Sequence, residues 1–287
     1  VSDFLHNRTA QIKLENTLSN ILRIEAGTPQ GSVISPLLYI LFSSDIPQTN
    51  NPRTGIAQYA DDVAYWAAYP KINQTLKYIQ LELDKFQQWS NKWRITINAQ
   101  KTQACAFKKG RLSHKTLNYS PIHINNTHTQ LTRNITYLGI TIDSKMKWTH
   151  TAKKLTKQMK TSTNFIRFLR GIRGIGCYPP TLKLLYTAYI RSLVTHTSII
   201  FPSLRKTHTE KIRRIETSTL RRIYRPPRYY TNKRLYEDIN MTPILEQIQH
   251  INKRFIDNPN TRSYLRNIFT NPPETQGNTI FEKLLHT

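Results

Sequence analysis

Asp61 and Asp62 stand side by side in GIAQYADDVAYWA, residues 55–67, between two apolar stretches that read as the strands of a hairpin. Like charges at that spacing repel, and the segment itself offers neither acid a basic partner. A divalent cation relieves the repulsion. Carboxylates suit Mg²⁺, which keeps several waters and binds through one or two acids plus substrate phosphates. In a regular strand neighbouring side chains point to opposite faces, so the two acids would not share an ion. At a hairpin turn the alternation breaks, which gives Asp61 the main ligand role and Asp62 a supporting or outer one. The plainer reading is a solvated turn with both acids facing water.

A metal site of this kind needs a rigid platform, and the flanking sequence supplies candidates. Upstream, GTPQGS at residues 27–32 is loop chemistry, with two glycines and a proline. Ser35-Pro36 reads as an N-cap with proline in the first turn, and LLYILFSSDI continues that helix until Pro47. Leu37, Leu38, Ile40, Leu41 and Phe42 cover most of its circumference, so it is expected to be buried nearly all round. Downstream, Leu76, Ile79, Leu83, Phe86 and Trp93 recur near helical spacing, predicting an amphipathic helix from Ile72 to Trp93. RITIN, KTQACAF and TYLGITID then read as three short strands.

After residue 150 the texture turns helical. Stretches at 151–172, 180–194, 209–224 and 242–255 predict four helices; the first turns Leu155, Met159, Phe165 and Leu169 inward, the third Ile212, Ile215 and Leu220. The charge follows the same division. The chain carries 42 Lys+Arg against 17 Asp+Glu, a formal net charge of +25, with 25 of the basic residues after position 150. Such an excess implies a polyanionic partner, with nucleic acid the first candidate. In RRIYRPPRYYTNKRLY, Arg221, Arg222, Arg225 and Arg228 are candidates to neutralise phosphates, and Tyr224, Tyr229 and Tyr230 to stack on bases or pack locally. The alternative is a solvated basic face with its tyrosines in the core. No apolar run approaches the ~20 residues of a membrane span, and Cys105 and Cys177 fit neither a zinc knuckle nor a disulfide frame, pointing to a reducing compartment.

The ordered motifs resemble those of reverse transcriptases. YADD is similar to the metal-binding hairpin of that family, and AGTPQGSVISPLLYILFSSDIP to its PQG loop and buried helix. WSNKWRITINAQKTQACAF resembles the next motif, with Asn98 before Lys101 and Thr102, and YLGITID the strand motif before the thumb. Order and spacing resemble the jockey-like, LINE-type non-LTR retrotransposon polymerases. The resemblance implies an α+β fold: a partial right-hand polymerase palm over residues 1–145, a helical, basic thumb or connection over 146–258, and a polar tail over 259–287. It implies RNA-templated DNA synthesis by two-metal nucleotidyl transfer, in which a primer 3′-hydroxyl attacks the α-phosphate of an incoming deoxynucleoside triphosphate. The implied site is Asp61 and Asp62 on Mg²⁺ (Mn²⁺ as an alternative), with Lys101 near the triphosphate to neutralise or protonate the leaving group. Pro29, Gln30, Gly31, Tyr59, Ala60 and Asn98 are implied to contact nucleotide or template. Partners are an RNA template and a DNA primer or nicked target. Location is within the cell, nucleus or cytoplasm, as a ribonucleoprotein.

One part of the family pattern has no match. The family supplies a further metal-binding aspartate from F/L-D-x-x-x-A-F-D upstream of the PQG loop, and nothing in residues 1–26 fits. The expectation is a chain lacking the fingers and that strand, with an incomplete two-ion site and no activity alone. The competing reading is a non-catalytic nucleic-acid-binding remnant. An RNA-directed RNA polymerase or maturase is a third, with Ala60 before the acids arguing against the first of that pair, where glycine is usual.

Overall fold

A computed structural model describes residues 1–107, 122–171 and 176–262. The fold is mixed, short β pairs followed by long helices, as an α+β class requires. The chain divides into two compact units, one spanning Val1–Gln48 and the other starting at Thr49.

The first unit is thinly covered. Helix α1 (Ser2–Leu5) leads into β1 (Thr9–Ala10), β2 (Lys13–Leu14), β3 (Thr17–Leu18) and β4 (Leu22–Arg23), which pair antiparallel as β1 with β4 and β2 with β3. Helix α2 (Ser35–Ser43) stops four residues before Pro47. It is not buried all round: Leu37, Ile40, Leu41 and Phe42 are exposed, and Ser43 is its buried residue. The strands of this unit are two-residue pairs whose side chains all face solvent, so they present no apolar sheet to lay over the helix. Nor is Ser35 an N-cap. Ile34 holds that position, and the Ser35 hydroxyl, already inside the helix, donates to the Pro29 carbonyl at 2.7 Å.

The second unit opens with the hairpin β5 (Thr54–Tyr59) and β6 (Asp62–Ala67), which packs on α3 (Ile72–Lys92). Leu76, Ile79 and Leu83 of α3 form a small core with Ile122 and Leu131. On the same face of α3, Gln80 ties down the antiparallel pair β8 (His123–Ile124) and β9 (Thr127–His128), exchanging two hydrogen bonds with the His123 backbone, 2.8 and 3.1 Å. RITIN is not a strand. The Ile95 N–H bonds back to the Ser90 carbonyl at the end of α3, and the Ile97 carbonyl accepts from the Asn125 side chain, so no ladder is left to form. KTQACAF contributes β7 (Ala104–Cys105), parallel to β10 (Leu131–Thr132). TYLGITID is not one strand but the end of one strand, a turn and the whole of the next. β11 (Asn134–Tyr137) and β12 (Ile140–Asp143) pair antiparallel around Leu138 and Gly139, whose φ angles of +47° and +79° suit a two-residue hairpin turn.

Asp143 ends β12 and starts the helical region. Its Oδ1 accepts the N–H groups of Lys145 and Lys147, both at 3.1 Å, and its Oδ2 that of Trp148 at 2.7 Å. From there α4 (Thr149–Arg170), α5 (Pro179–Leu185), α6 (Ser192–His196), α7 (Lys206–Tyr224), α8 (Asn232–Asp238) and α9 (Ile244–Asp257) enclose one core. Leu155, Met159, Ile212, Ile215 and Leu220 face inward as their periodicity predicts. Phe165 does not; it is exposed, and Ile166 takes the core position. The tail assigned to 259–287 lies outside the described residues from 263 onward.

The core of this helical region holds a buried ion pair. Between α5 and α6 one π-helical stretch, Tyr186–Arg191, places its first and last residues five apart, one π repeat, on the same side. Both reach Glu216 of α7, which is fully buried. Tyr186 and Tyr236 donate their hydroxyls to its carboxylate at 3.0 and 2.8 Å, the Ile244 N–H donates at 3.0 Å, and Arg191 stands at 3.5 Å. Burial pushes the Glu216 carboxyl up, while those donors and the Arg191 charge pull it back.

Candidate functional site

The paired acids sit at a hairpin tip. Tyr59 pairs with Asp62 on the last rung, leaving Ala60 and Asp61 as a two-residue turn. Ala60 takes the left-handed conformation, φ +51°, at a cost of about 1–2 kcal/mol to a residue with a Cβ. The Gln58 side chain donates to the Ala60 carbonyl at 3.4 Å and braces it. Asp61 is therefore off the ladder and Asp62 is its first rung. Both carboxylates are exposed, as is Tyr59.

Packing fixes that tip from behind. Gly55 lies opposite Trp66, whose indole covers it so closely that a Cβ would stand 2.2 Å from the ring. Tyr65 tilts against Phe86 of α3 at 5.7 Å, Phe86 stacks on Trp89 at 5.5 Å, and Tyr69 stacks on Tyr78 at 4.4 Å. The Tyr65–Phe86 pair thus fastens β6 to α3 and the Tyr69–Tyr78 pair fastens the segment just after β6, each worth about 0.5–1.5 kcal/mol beyond its buried area.

Beside the tip lies the β11–β12 hairpin. The Tyr137 phenol is held above its ordinary range, by burial first and then by the negative charge of Asp62. That coupling puts Tyr137 within the electrostatic reach of the acidic tip. One residue earlier, the Thr136 N–H donates to Gln103 Oε1 at 2.9 Å. Gln103 follows the turn that carries Lys101. Asn98 builds this turn: its side-chain oxygen accepts the Lys101 N–H at 3.0 Å and its carbonyl accepts the Thr102 hydroxyl at 2.9 Å. Lys101 itself is exposed. The Thr136–Gln103 bond thus ties the β11–β12 hairpin to the segment after the Lys101 turn, while Tyr137 of the same hairpin lies within electrostatic reach of Asp62. Sequence reasoning named Asp62, Asn98 and Lys101 but missed Tyr137 and Gln103. Both lie inside quoted motifs, as the residue before the Leu138–Gly139 turn and the residue after Lys101-Thr102.

The loop holding Pro29, Gln30 and Gly31 belongs to the first unit. Gly27 and Gly31 have φ of +79° and +82°, the left-handed backbone that glycine adopts freely. The Arg8 guanidinium donates to the Gly27 carbonyl at 2.7 Å, and the Ser35 hydroxyl ties down Pro29 from the far side. Gln30 and Gly31 between these anchors are exposed.

A second candidate is an open groove of about 450 Å³ along α7, where Arg221 and Arg222 join Arg213 and Arg214 around Thr217 and Ser218. Arg221 is braced by the Asn232 side chain at 2.9 Å and by the Tyr230 carbonyl. Arg225 and Arg228 do not line this groove. Arg225 ends α7 in a left-handed conformation, φ +49°, and donates to the Gly171 carbonyl at 2.6 Å. Arg228 and Tyr229 are exposed on the loop beyond. Tyr230 is half-buried beneath the Arg234 guanidinium, 5.1 Å from its ring centre.

Comparison with known proteins adds ancestry to this geometry. Residues 1–142 match the family model described as reverse transcriptase (RNA-dependent DNA polymerase). The chain is similar to the RNA-directed DNA polymerase from mobile element jockey of Drosophila melanogaster, 28% identical over 91% of the chain, and to that of Drosophila funebris, 26% identical over 89%. It is also similar to a probable RNA-directed DNA polymerase from transposon BS of Drosophila melanogaster, 26% identical over 90% of the chain. The chain spans 28% to 29% of the length of these relatives. No solved structure matches it significantly.

Proposed function

We propose that this chain belongs to the reverse transcriptase family and is the palm-and-thumb portion of an RNA-directed DNA polymerase of a jockey-like retrotransposon. The observation that carries the reading is the Asp61–Asp62 tip of a hairpin packed on α3, within electrostatic reach of Tyr137 on the β11–β12 hairpin that Gln103, two residues after Lys101, bonds. In this reading residues 1–145 form a partial palm and 146–258 a thumb or connection.

The donor set suits Mg²⁺. Two adjacent exposed carboxylates offer hard oxygens, and Mg²⁺ accepts one or two protein acids while keeping waters and substrate phosphates as its other ligands. Among the described residues no group of three or more His, Cys, Asp or Glu stands ready to hold an ion. Asp61 and Asp62 would therefore hold it jointly with ligands from outside the hairpin. When bound, the cation supplies charge stabilisation for the phosphoryl oxygens. The residues of the chain do the positioning. Ala60 turns the backbone so that Asp61 clears the ladder, Asn98 presents Lys101 toward a triphosphate, and the Gln30–Gly31 backbone offers a close approach for a base pair. Template RNA, a DNA primer and deoxynucleoside triphosphates are the partners this chemistry requires.

The test is primer extension on poly(rA)/oligo(dT) with Mg²⁺, using a protein that joins these residues to the upstream part its relatives possess. Asp61→Ala is expected to abolish incorporation. Residues 1–26 hold no match to the family's further aspartate motif, which favours a second reading for the 287 residues alone: nucleic-acid binding without catalysis. Incorporation by the isolated chain would overturn that second reading.

A further inference from the structure

The groove along α7 has a regular composition. Its lining arginines fall at 213, 214, 221 and 222, with Thr217 and Ser218 midway, so basic or hydroxyl pairs recur every four residues along one face. Four residues are close to one helical turn, and the pairs therefore stack in two parallel rows. The opposite face of α7 carries Ile212, Ile215, Leu220 and Ile223 into the core, which fixes the direction of the basic face.

Two of the four guanidiniums are braced. Arg213 is held by Glu210 at 2.9 and 3.1 Å, and Arg221 by Asn232 and the Tyr230 carbonyl. Arg214 and Arg222 are exposed, and their counterparts in the groove wall are hydroxyls and an amide, with no carboxylate lining it. Glu210 offsets one positive charge; the remaining excess faces an open groove. The eight-step rise from Arg214 to Arg222 spans about 12 Å along the helix. At the ~3.4 Å axial rise per nucleotide of one duplex strand, that length covers about three or four phosphates. One phosphate cannot reach both ends. The groove also presents no aromatic side chain for base stacking.

We infer that this α7 groove, centred on Arg213, Arg214, Arg221 and Arg222, is a track for the phosphate backbone of a polynucleotide strand, read without regard to sequence. The inference deepens the proposed function and rests on it for the identity of the polyanion as nucleic acid. It moves the basic contact from the Arg225–Arg228 segment onto the exposed face of α7, and gives Arg213 and Arg214 a role alongside Arg221 and Arg222.

The test is fluorescence anisotropy of a labelled single-stranded RNA oligonucleotide of mixed sequence with the 287-residue chain, titrated at several salt concentrations. The double variant Arg214→Ala/Arg222→Ala is expected to lose roughly tenfold in affinity at low salt. Its slope of log affinity against log salt should fall by about 1.4, two contacts at ~0.7 each for single strands. Arg214→Lys/Arg222→Lys should restore the slope, because a phosphate contact needs the charge, while a misfolded chain would not recover. Lys233→Ala, at an exposed lysine outside the groove, should change the slope by less than half as much. A slope unchanged in the double alanine variant, with RNA still bound, would overturn the groove and leave the polymerase reading intact. Full competition by a free deoxynucleoside triphosphate at stoichiometric concentration would also overturn it, by showing a mononucleotide subsite. Absence of RNA binding by the unaltered chain would sink the groove and the polymerase reading together.

Discussion

Replacing Asp143 tests how the hairpin beside the acidic tip is joined to the helical region. Its carboxylate accepts three backbone N–H groups, from Lys145, Lys147 and Trp148. The first two face solvent, so water takes over much of their loss when the side chain is removed. The Trp148 bond is the shortest, and Trp148 is buried at the start of α4, where an unsatisfied donor costs about 1–3 kcal/mol. Asp143→Ala should therefore destabilise the unit by about 2–4 kcal/mol. A domain of this size loses roughly 2–4 °C per kcal/mol, which gives a shift of about 4–16 °C. Asp143→Asn keeps one acceptor oxygen and should fall about midway, since its amide must meet at least one of the donors. A second readout is independent of melting. Burial first, and then the Asp143 charge, push the Cys105 thiol up to about 11. With Cys177 changed to serine, thiol labelling at Cys105 should be slow at neutral pH and accelerate toward that value. Asp143→Asn removes an anion, so the thiolate forms at lower pH and the labelling profile moves to the acidic side. Thermal melts by circular dichroism and a pH series of labelling rates check both. A melting shift under about 1 °C for Asp143→Ala, together with an unmoved labelling profile, would refute the reasoning.

Gly55→Ala places a Cβ against the Trp66 ring and should cost about 1–3 kcal/mol, the usual range for overpacking, with a red shift in tryptophan emission as the indole is displaced. An unshifted spectrum would show that the hairpin absorbs the methyl group elsewhere. Arg191→Met strips the cation from buried Glu216 and should destabilise by roughly 3 kcal/mol at neutral pH. The sign with pH follows from the carboxyl already held above its ordinary value: losing Arg191 raises it further, so the native state binds the proton more tightly than the unfolded chain. The penalty should therefore be smallest under acid conditions and grow as pH rises through that raised range. A penalty that grew toward low pH would contradict the assignment.

Where local pattern decides structure, the residues were readable. Apolar runs on both sides of Ala60 and Asp61 specify a hairpin, and the spacing of Leu155, Met159, Ile212 and Leu220 specifies helices with one inward face. Where a partner decides structure, they were not. Ile95 and Ile97 alternate as a strand would, yet their backbone groups are taken by Ser90 in the last turns of the preceding helix and by Asn125, far along the sequence. Leu37, Ile40 and Leu41 look buried by composition and are exposed, because hydrophobicity describes a preference and the neighbouring strands are too short to satisfy it. Phe165 and Ile166 are adjacent apolar residues, and only the packed bundle selects between them. The Glu216 cluster draws on residues from position 186 to 244 and depends on a π-helical turn that no periodicity announces. At the candidate site, residue types pointed to Asp61, Asp62 and Lys101, whereas the Thr136–Gln103 bond and the coupling of Tyr137 to Asp62 exist only in three dimensions.

The central claim is that Asp61 and Asp62 hold a divalent cation at the end of a growing DNA strand, and metal-dependent primer extension tests it most directly. In a protein that joins these residues to the upstream part of its relatives, RNA-templated extension should require Mg²⁺ or Mn²⁺. It should disappear in Asp61→Asn while RNA affinity and the melting curve stay unchanged. Extension at an undiminished rate in Asp61→Asn/Asp62→Asn would contradict the account.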